Sequence, residues 1–226
     1  PVKSISFQNI DKCKINKNIG IEGDRVFAFS QNLDLDQSKE FEKNPEARKG
    51  KWNKIVTLKN TPVFNKYNFL HEDNKLTLIL KDKEIITVNI NDFDERDDLV
   101  KKLIELEGSL KNDIRLMRND EHPFYDTSIS NKSMFRNSIS LLNINSIKDF
   151  ENKIDQKIEK SIFRGNLYFD GIEAWEERNW IGKTIKINDV LFKVEKNIPR
   201  CVAINLKPET DDNSFNLLKT LKQTYD

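Results

Sequence analysis

The sequence predicts an α+β fold that is predominantly antiparallel β, and three observations support this prediction. Short runs in which apolar and polar residues alternate follow one another at hairpin spacing through the first half of the chain. Longer stretches repeat apolar residues with the period of an amphipathic helix. Strands and helices do not alternate as a doubly wound parallel sheet requires. This order favours an antiparallel α+β or a barrel architecture.

The first half of the chain is predicted to consist mainly of strands and turns. The glycine-bracketed segment GIEG (20–23) is expected to be a loop, and the polar segments 71–74 and 81–83 are expected to be turns. Residues 31–51 are polar and charged, and we expect them to form an exposed excursion. The predicted strands are 5–7, 12–15, 25–30, 55–58, 62–70, 75–80 and 84–90.

A helix is predicted next, over residues 94–108, where the apolar side chains share roughly one face. Asp94 is the expected N-cap and Gly108 is the expected C-terminal stop. A short strand is predicted over 113–117. The polar stretch 118–137 then shows no periodicity, and loops of that length often carry function.

The second half of the chain combines both periods, and it contains no internal repeat. One hairpin is marked by an Asn-Asp turn between two alternating runs. The predicted strands are 138–144, 163–169, 183–187, 190–194 and 201–206. The predicted helices are 145–158 and 213–225.

Composition limits the classes of partner and compartment. The 226 residues suffice for one large domain or two small ones, and 38 basic against 37 acidic side chains leave a net charge of +1. This balance gives no reason to propose nucleic acid or an anionic membrane as the main partner. No window is apolar enough for a transmembrane segment, and two cysteines favour a reducing compartment. We expect a cytoplasmic location; because the chain starts at Pro1, N-terminal targeting stays open.

Several common catalytic motifs are absent from the sequence. Glycine-rich phosphate loops, a GxSxG nucleophile elbow and an HExxH zinc motif do not occur, and the chain has only two histidines. The acidic segment 91–98 could bind a metal, but the start of a helix is the expected role. The basic segment KNPEARKGK (43–51) is expected to be an exposed loop, with a docking surface as the alternative.

Isolated basic, polar and thiol side chains remain at the ends of the predicted strands. Arginine and amide groups of this kind suit phosphate and the edges of heteroaromatic rings. The adjacent Arg200 would favour the thiolate form of Cys201, but an unpaired cysteine at the start of a strand is more often a small buried apolar residue. Cys13 is expected to be structural. The residues in question are Lys3, Ser4, Asp24, Arg25, Arg164, Asn166, Arg200 and Cys201.

Read in order, five segments of the chain resemble a known family, and a sixth, 60–80, does so more loosely. The five are PVKS (1–4), GIEGDRVFAFS (20–30), FRGNLYFDGIEAWEERNWIGKTIKINDVLFKV (163–194), PRCVAINLKPET (199–210) and NLLKTLKQTY (216–225). Together they resemble the MOSC family, named for the C-terminus of molybdenum cofactor sulfurases, and its amidoxime-reducing members over nearly the full length. The resemblance implies a β-rich N-terminal region (1–115) packed with a β-barrel MOSC domain (116–226).

The resemblance also implies a molybdenum cofactor and a set of residues around it. Cys201 matches the cysteine whose thiolate binds molybdenum and is the expected catalytic residue, with Arg200 as its neighbour. Positions near the pterin phosphate are matched by Lys3, Ser4 and Arg25. Positions facing the cofactor are matched by Arg164 and Asn166, and Asn143 is a candidate of lower rank.

The activity implied by the resemblance is reduction of small N-hydroxylated or N-oxygenated compounds by a molybdenum-dependent oxidoreductase, with no role for pyridoxal phosphate. Electrons would come from a separate ferredoxin, flavoprotein or cytochrome, and 43–51 is one candidate contact surface. Gly165, Lys207 and Asp211 depart from the residues usual in the family. Two alternatives stay open: a sulfur carrier or cofactor-delivery module using a Cys201 persulfide, and a non-catalytic cofactor-binding protein.

Overall fold

The computed structural model describes residues 1–17, 19–111, 113–125 and 138–225, and the chain divides into two compact units. Unit 1 comprises residues 1–138 together with Glu209–Asp211. Unit 2 comprises Ile139–Pro208 and Asp212–Asp226. The predicted boundary after residue 115 refers to the two regions of the family and stays a prediction.

The main sheet of unit 1 is an antiparallel meander that the sequence predicted well. Its strands are β4 (Tyr67–Glu72), β5 (Lys75–Leu80) and β6 (Lys83–Asn89). Alternate residues point into the core, so that Phe69 lies opposite Leu78 and both are fully buried. The turn between β5 and β6 places Lys81 and Asp82 at positive φ, as a tight hairpin requires.

A second sheet in unit 1 is completely buried along one strand. It pairs β3 (Phe27–Ser30) with β7 (Arg115–Arg118) in antiparallel register, and all four residues of β3 are buried. The rings of Phe64 and Phe69 pack on Phe29 with centroids 5.2 and 5.6 Å away. The N-terminus joins this sheet through an isolated parallel bridge from Val2 to Phe27. A small hairpin is formed by β1 (Ile15–Asn16) and β2 (Gly20–Ile21).

Two helices complete unit 1. Helix α2 (Phe93–Leu106) confirms the predicted helix. Its N-cap is Asp92 rather than Asp94, because the Asp92 carboxylate accepts hydrogen bonds from the backbone amides of Asp94 and Glu95. Its C-cap is Glu107 rather than Gly108.

The prediction that residues 31–51 form an exposed excursion is confirmed only in part, because most of these residues are exposed but the segment contains a helix and several buried side chains. Helix α1 (Leu35–Lys43) lies there, started by a capping box between Asp34 and Gln37, and it buries Phe41. Arg48 in the basic segment is also buried, whereas Lys49 and Lys51 are exposed.

Unit 2 begins with two parallel strands that are joined through a helix. Strands β8 (Leu141–Asn143) and β9 (Leu167–Phe169) pair in parallel, and α3 (Ile144–Ile154) lies between them in sequence. The predicted hairpin is confirmed as β10 (Thr184–Ile187) and β11 (Val190–Lys193). The C-terminal helix is α4 (Leu217–Tyr225). The core of unit 2 consists of Ile147, Phe150, Ile158, Ile162, Phe163, Ile204 and Leu217.

Several strand predictions are wrong, and 3₁₀ turns explain two of them. Residues Val202–Asn205 form a 3₁₀ helix where a strand was predicted. Pro62–Lys66 form another over the first part of the predicted strand 62–70, whose second part belongs to β4. Segments 5–7 and 55–58 contain no strand, although Ile55 forms an isolated bridge. The polar stretch 118–137 lies partly outside the described residues.

The described residues form mixed α and β structure with four α-helices and mostly antiparallel sheets of two or three strands. No closed barrel is found among them, so the barrel prediction is not confirmed. Across the same residues, no helix combines the length and apolar character needed to cross a membrane.

Candidate cofactor site

Cys201 is presented at the surface of unit 2 by the turn that follows it. Its thiol is free and exposed, and its carbonyl accepts the backbone hydrogen bond of Ile204 at 3.2 Å. Ile204 is buried in the core of unit 2 and thereby anchors the turn. The interpretation of Cys201 as a small buried apolar residue is therefore wrong. Cys13 is exposed as well, so its expected structural role finds no support in burial.

Arg200 links the cysteine turn to the segment that carries two other predicted residues. Its Nη1 donates a hydrogen bond to the carbonyl of Phe163 at 2.8 Å. Burial lowers the pKa of the Arg200 guanidinium, and the Cys201 thiol and the Tyr168 hydroxyl act in the opposite direction. The half-buried Arg200 guanidinium, held by this carbonyl, places a positive charge next to the residue with the exposed thiol.

The segment around Arg164 and Asn166 is held by its backbone and by Ser140. Arg164 has a left-handed backbone, with φ of 52°, at the end of a 3₁₀ turn. The Asn166 side-chain oxygen accepts hydrogen bonds from the Ser140 amide at 3.1 Å and hydroxyl at 2.9 Å. The backbone amide of Asn166 donates in turn to the Ser140 hydroxyl at 2.9 Å. This reciprocal pairing fixes the orientation of the Asn166 side chain.

Gly165 occupies the position where the family usually has proline, and the structure shows what accompanies the change. A Cβ atom at residue 165 would lie 2.4 Å from Cδ1 of Leu142 and 2.9 Å from its Cγ. The Gly165 amide also donates to the Tyr168 hydroxyl at 3.1 Å, which proline cannot do. The glycine is thus matched to the large side chain packed against it.

Asn143 is buried and its side chain is fully used within unit 2. Its oxygen accepts from the amide of Asn145 at 3.0 Å, which caps α3. Its nitrogen donates to the carbonyl of Glu173 at 2.9 Å and to the carboxylate of Glu177 at 3.0 Å. Both amide hydrogens are therefore taken, and the geometry favours a structural role for Asn143 over a ligand role.

A carboxylate cluster ties both helices of unit 2 to the segment that contains Trp175. Asp149 Oδ2 accepts from Trp175 Nε1 at 2.6 Å and from the Tyr225 hydroxyl at 2.7 Å, and it pairs with Lys153 at 3.0 Å. These hydrogen bonds lower the pKa of Asp149 to about 2. The cluster holds the two helices of unit 2 in place around Trp175.

In unit 1, Lys3, Ser4 and Arg25 lie where the N-terminal segment meets the start of β3. The Lys3 amide donates to the Phe27 carbonyl at 2.8 Å, and the Lys3 side chain is buried. Ser4 and Arg25 have left-handed backbones, with φ of 62° and 56°. Arg164 shares this conformation, which is uncommon for residues with side chains and is concentrated at functional sites.

Arg25 carries a charged cluster that the sequence did not reveal. Its Nε and Nη2 donate to Asp24 Oδ2 at 2.9 and 2.6 Å, and its guanidinium lies 4.9 Å from the centroid of the Tyr125 ring. The Arg25 carbonyl accepts from the Phe124 amide at 2.8 Å. Tyr125 was missed because it stands a hundred positions from Arg25 at the edge of an aperiodic stretch, and no local pattern marks it.

Residues 125–225 match the family model of the MOSC domain. The resemblance predicted from the sequence is thereby confirmed for this part of the chain. MOSC domains are associated with binding of the molybdenum cofactor. Five of the predicted site residues lie within the matched range, namely Asn143, Arg164, Asn166, Arg200 and Cys201.

The chain is also similar to a mitochondrial protein over part of its length. Over 72 residues the chain is 33% identical to mitochondrial amidoxime reducing component 2 of Rattus norvegicus. This segment covers 32% of the chain and 21% of the relative, so the match spans about a fifth of the length of the relative.

The acidic segment 91–98 is a helix start, since Asp92 caps α2 and Asp94 and Glu95 occupy the first turn. Among the residues that the structure describes, no group of three or more His, Cys, Asp or Glu side chains is arranged to hold a metal ion.

Proposed function

We propose that the chain binds the molybdenum cofactor and reduces small N-hydroxylated or N-oxygenated compounds with electrons from a separate redox protein. The observation that carries the proposal is the exposed Cys201 thiol next to the half-buried Arg200, within a segment that matches the MOSC domain. A soft thiolate is the ligand type that suits a high-valent molybdenum centre. The similarity to an amidoxime reducing component supports the choice of substrate class.

The residues present fit the cofactor in charge and in donor chemistry. Cys201 would supply the thiolate ligand, and Arg25 and Lys3 would offer positive charge to the phosphate. The unpartnered hydroxyl of Tyr125, next to Arg25, is a buried donor that protein atoms leave free among the described residues. When bound, the cofactor would supply the two-electron redox chemistry, while the protein supplies binding and electrostatics.

The protein side chains of unit 2 have distinct tasks in this proposal. Arg200, held by the carbonyl of Phe163, places a positive charge next to Cys201 in the chain. Arg164 and Asn166 present polar groups from a segment fixed by Ser140. Asn143 is left out of the ligand set, because its side chain is used to cap α3 and to bind Glu177.

The decisive experiment measures molybdenum and pterin in the protein purified from a host that makes the cofactor. The wild type and the Cys13→Ala variant should carry both, whereas Cys201→Ala should lose molybdenum, because both cysteines are exposed but Cys201 directly follows an arginine that is held by a backbone carbonyl, whereas Cys13 follows Lys12. Cofactor-loaded wild type should then reduce hydroxylamines with an artificial electron donor. A wild type as empty of metal as Cys201→Ala would contradict the proposal.

A second candidate function, transfer of sulfur on a Cys201 persulfide, is favoured by the same exposure of the thiol. It predicts additional sulfur on Cys201 in the purified protein and no turnover of hydroxylamines. Detection of the persulfide by mass spectrometry, lost in Cys201→Ala and kept in Cys13→Ala, would select this function over the first.

The third hypothesis, a cofactor-binding protein without activity, rests on the three departures from the residues usual in the family, at Gly165, Lys207 and Asp211. Two of the three departures form ion pairs, whereas Gly165 does not: Lys207 pairs with Asp212 at 2.5 Å within unit 2, and Asp211 lies 3.6 Å from Lys66 within unit 1. Bound cofactor without turnover of any N-oxygenated compound would select this reading.

A further inference from the structure

The hydroxyl of Tyr125 is a buried polar group without a partner. The side chain is 9% exposed, and its oxygen has no hydrogen-bond partner among the described residues. Leaving a buried hydroxyl unpaired is unfavourable, and folded proteins rarely do so without a reason such as a bound ligand. The unpaired hydroxyl therefore indicates that a ligand atom binds here.

The other three tyrosines show that this chain otherwise pairs its phenol groups. Tyr67 donates to the Glu107 carboxylate at 2.9 Å, and Tyr225 donates to Asp149 at 2.7 Å. Tyr168 donates to the Lys160 carbonyl at 3.2 Å and accepts from the Gly165 amide at 3.1 Å. Of the four tyrosine hydroxyls, that of Tyr125 alone has no hydrogen-bond partner within the part of the chain that the structure describes.

The surroundings of Tyr125 indicate what kind of ligand atom would accept a hydrogen bond from its hydroxyl. The Arg25 guanidinium lies over the ring, and its Nε and Nη2 are turned to Asp24. Among the described residues, Nη1 of Arg25 has no hydrogen-bond partner, so the pair offers one cationic and one neutral donor. The backbone next to Tyr125 is held by two hydrogen bonds: the Phe124 backbone amide donates to the Arg25 carbonyl, and the Tyr125 backbone amide donates to the Pro123 carbonyl.

We propose that Tyr125 binds the cofactor phosphate, with its hydroxyl donating a hydrogen bond to a phosphate oxygen beside Arg25. This inference rests on the proposed function and adds a residue that neither the sequence motifs nor the family match assigns to the site. A phosphate oxygen accepts from both a phenol and a guanidinium, which a neutral ligand edge would do less strongly. Burial raises the pKa of Tyr125 to about 12, with Arg25 opposing this and Asp24 adding to it, so the phenol keeps its proton at neutral pH.

The proposal makes Tyr125→Phe act in opposite directions on two measurements. In the protein made without cofactor, removal of an unpaired hydroxyl should raise the melting temperature or leave it unchanged. In the loaded protein, loss of a hydrogen bond to a charged group should speed pterin dissociation by roughly tenfold to a hundredfold. The matched control is Tyr67→Phe, which removes a paired phenol from the same unit and should lower the melting temperature without changing pterin dissociation.

The possible outcomes separate this inference from the function on which it rests. A lower melting temperature for cofactor-free Tyr125→Phe would show a structural partner and overturn the inference. Equal pterin dissociation from wild type and Tyr125→Phe would overturn it as well, while leaving the proposed function intact. A wild type that carries no pterin would overturn the proposed function and this inference together.

Discussion

Unit 1 and unit 2 hold their candidate site residues by different means. In unit 1 the strand that follows Arg25 is buried along its full length, and aromatic rings pack against it. In unit 2, strands β10 and β11 alternate between exposed and half-buried residues, and polar side chains supply much of the fixation. Asn166 is held by Ser140, and Glu177 binds both Asn143 and Ser146.

This difference indicates which kind of change each unit tolerates. An apolar core stabilises through area removed from water and responds mainly to lost volume. A polar network depends on each partner, because a single deletion leaves a buried group unsatisfied. Unit 1 also contains buried polar side chains, among them Arg48, and Arg48 allows the comparison to be tested inside the apolar unit.

The largest effect is expected for Arg48→Met. The Arg48 guanidinium donates to the carbonyls of Phe41 at 2.5 Å, Glu42 at 2.9 Å and His122 at 2.6 Å, and it lies 4.0 Å from the centroid of the Phe124 ring. Methionine fills part of the volume but removes the hydrogen bonds to the Phe41 and His122 carbonyls, whereas the Glu42 carbonyl keeps its bond from the Asn119 side chain. The free energy of unfolding should fall by about 3–5 kcal/mol in urea titrations, since each buried carbonyl left without its donor costs about 1–3 kcal/mol and packing against the Phe124 ring is lost as well.

The control for Arg48→Met is Lys49→Met in the same segment. Lys49 is exposed and its partner Glu46 is exposed too, so its loss should change the free energy of unfolding by less than about 1 kcal/mol. Equal losses in the free energy of unfolding for the two variants would show that the hydrogen bonds of the buried Arg48 do not stabilise unit 1 more than an exposed ion pair does.

A smaller effect is expected in unit 2 for Gly165→Ala. The new Cβ would meet Leu142 at 2.4 Å, so either side chain or backbone must shift, and overpacking of this kind costs about 1–3 kcal/mol. Gly165→Pro should cost more, because it also removes the hydrogen bond to Tyr168. Urea unfolding of both variants measures the difference.

Leu142→Ala provides the test of cause for the Gly165 prediction. If contact with Leu142 is responsible, the double variant Gly165→Ala, Leu142→Ala should lose less stability than the sum of the two single losses. Strict additivity would instead assign the loss to the backbone of residue 165.

Local patterns predicted the elements whose order is local. The meander β4–β6, helix α2, the hairpin β10–β11 and helix α4 follow from alternation, helical period and an Asn-Asp turn, and the structure confirms them. Helix α1 was missed, because its segment is strongly polar and its stability depends on burial of Phe41 by residues distant in sequence. Segment 201–206 was predicted as a strand from its β-branched residues, whereas only Ile204 and Leu206 reach the interior.

The site residues divide in the same way. Motif order identified Arg25, Arg164 and Cys201 as candidates, and their unusual backbone or exposure is visible only in the structure. Asn143 looked equally suitable in sequence, but its hydrogen bonds inside unit 2 occupy it. The unpartnered hydroxyl of Tyr125 depends on contacts between distant segments, which a single sequence does not encode in any readable period.

The smallest effect, and the most specific to the polar network of unit 2, is the pH dependence of stability that Asp149 contributes. Its pKa is lowered from an ordinary 3.8 to about 2 in the folded state by Trp175, Tyr225 and Lys153. A lowered folded pKa means that the contribution is fully present above pH 3.8 and is lost as the pH falls through about 2. Because Asp149 is about a third exposed, solvent screening reduces the contribution to about 1 kcal/mol.

Asp149→Asn should therefore reduce the free energy of unfolding near neutral pH and differ less from wild type as the pH approaches about 2, in urea titrations at matched ionic strength. Asp212→Asn is the control: its pKa is also lowered to about 2, by Lys207 and Ser214, but it lies outside the network and should affect stability less. If the loss in free energy of unfolding caused by Asp149→Asn stays constant with pH, the charge of Asp149 does not contribute to stability and only its packing and hydrogen-bond geometry do. In that case unit 2 would depend on packing as unit 1 does, and the contrast between the two units would not extend to charge.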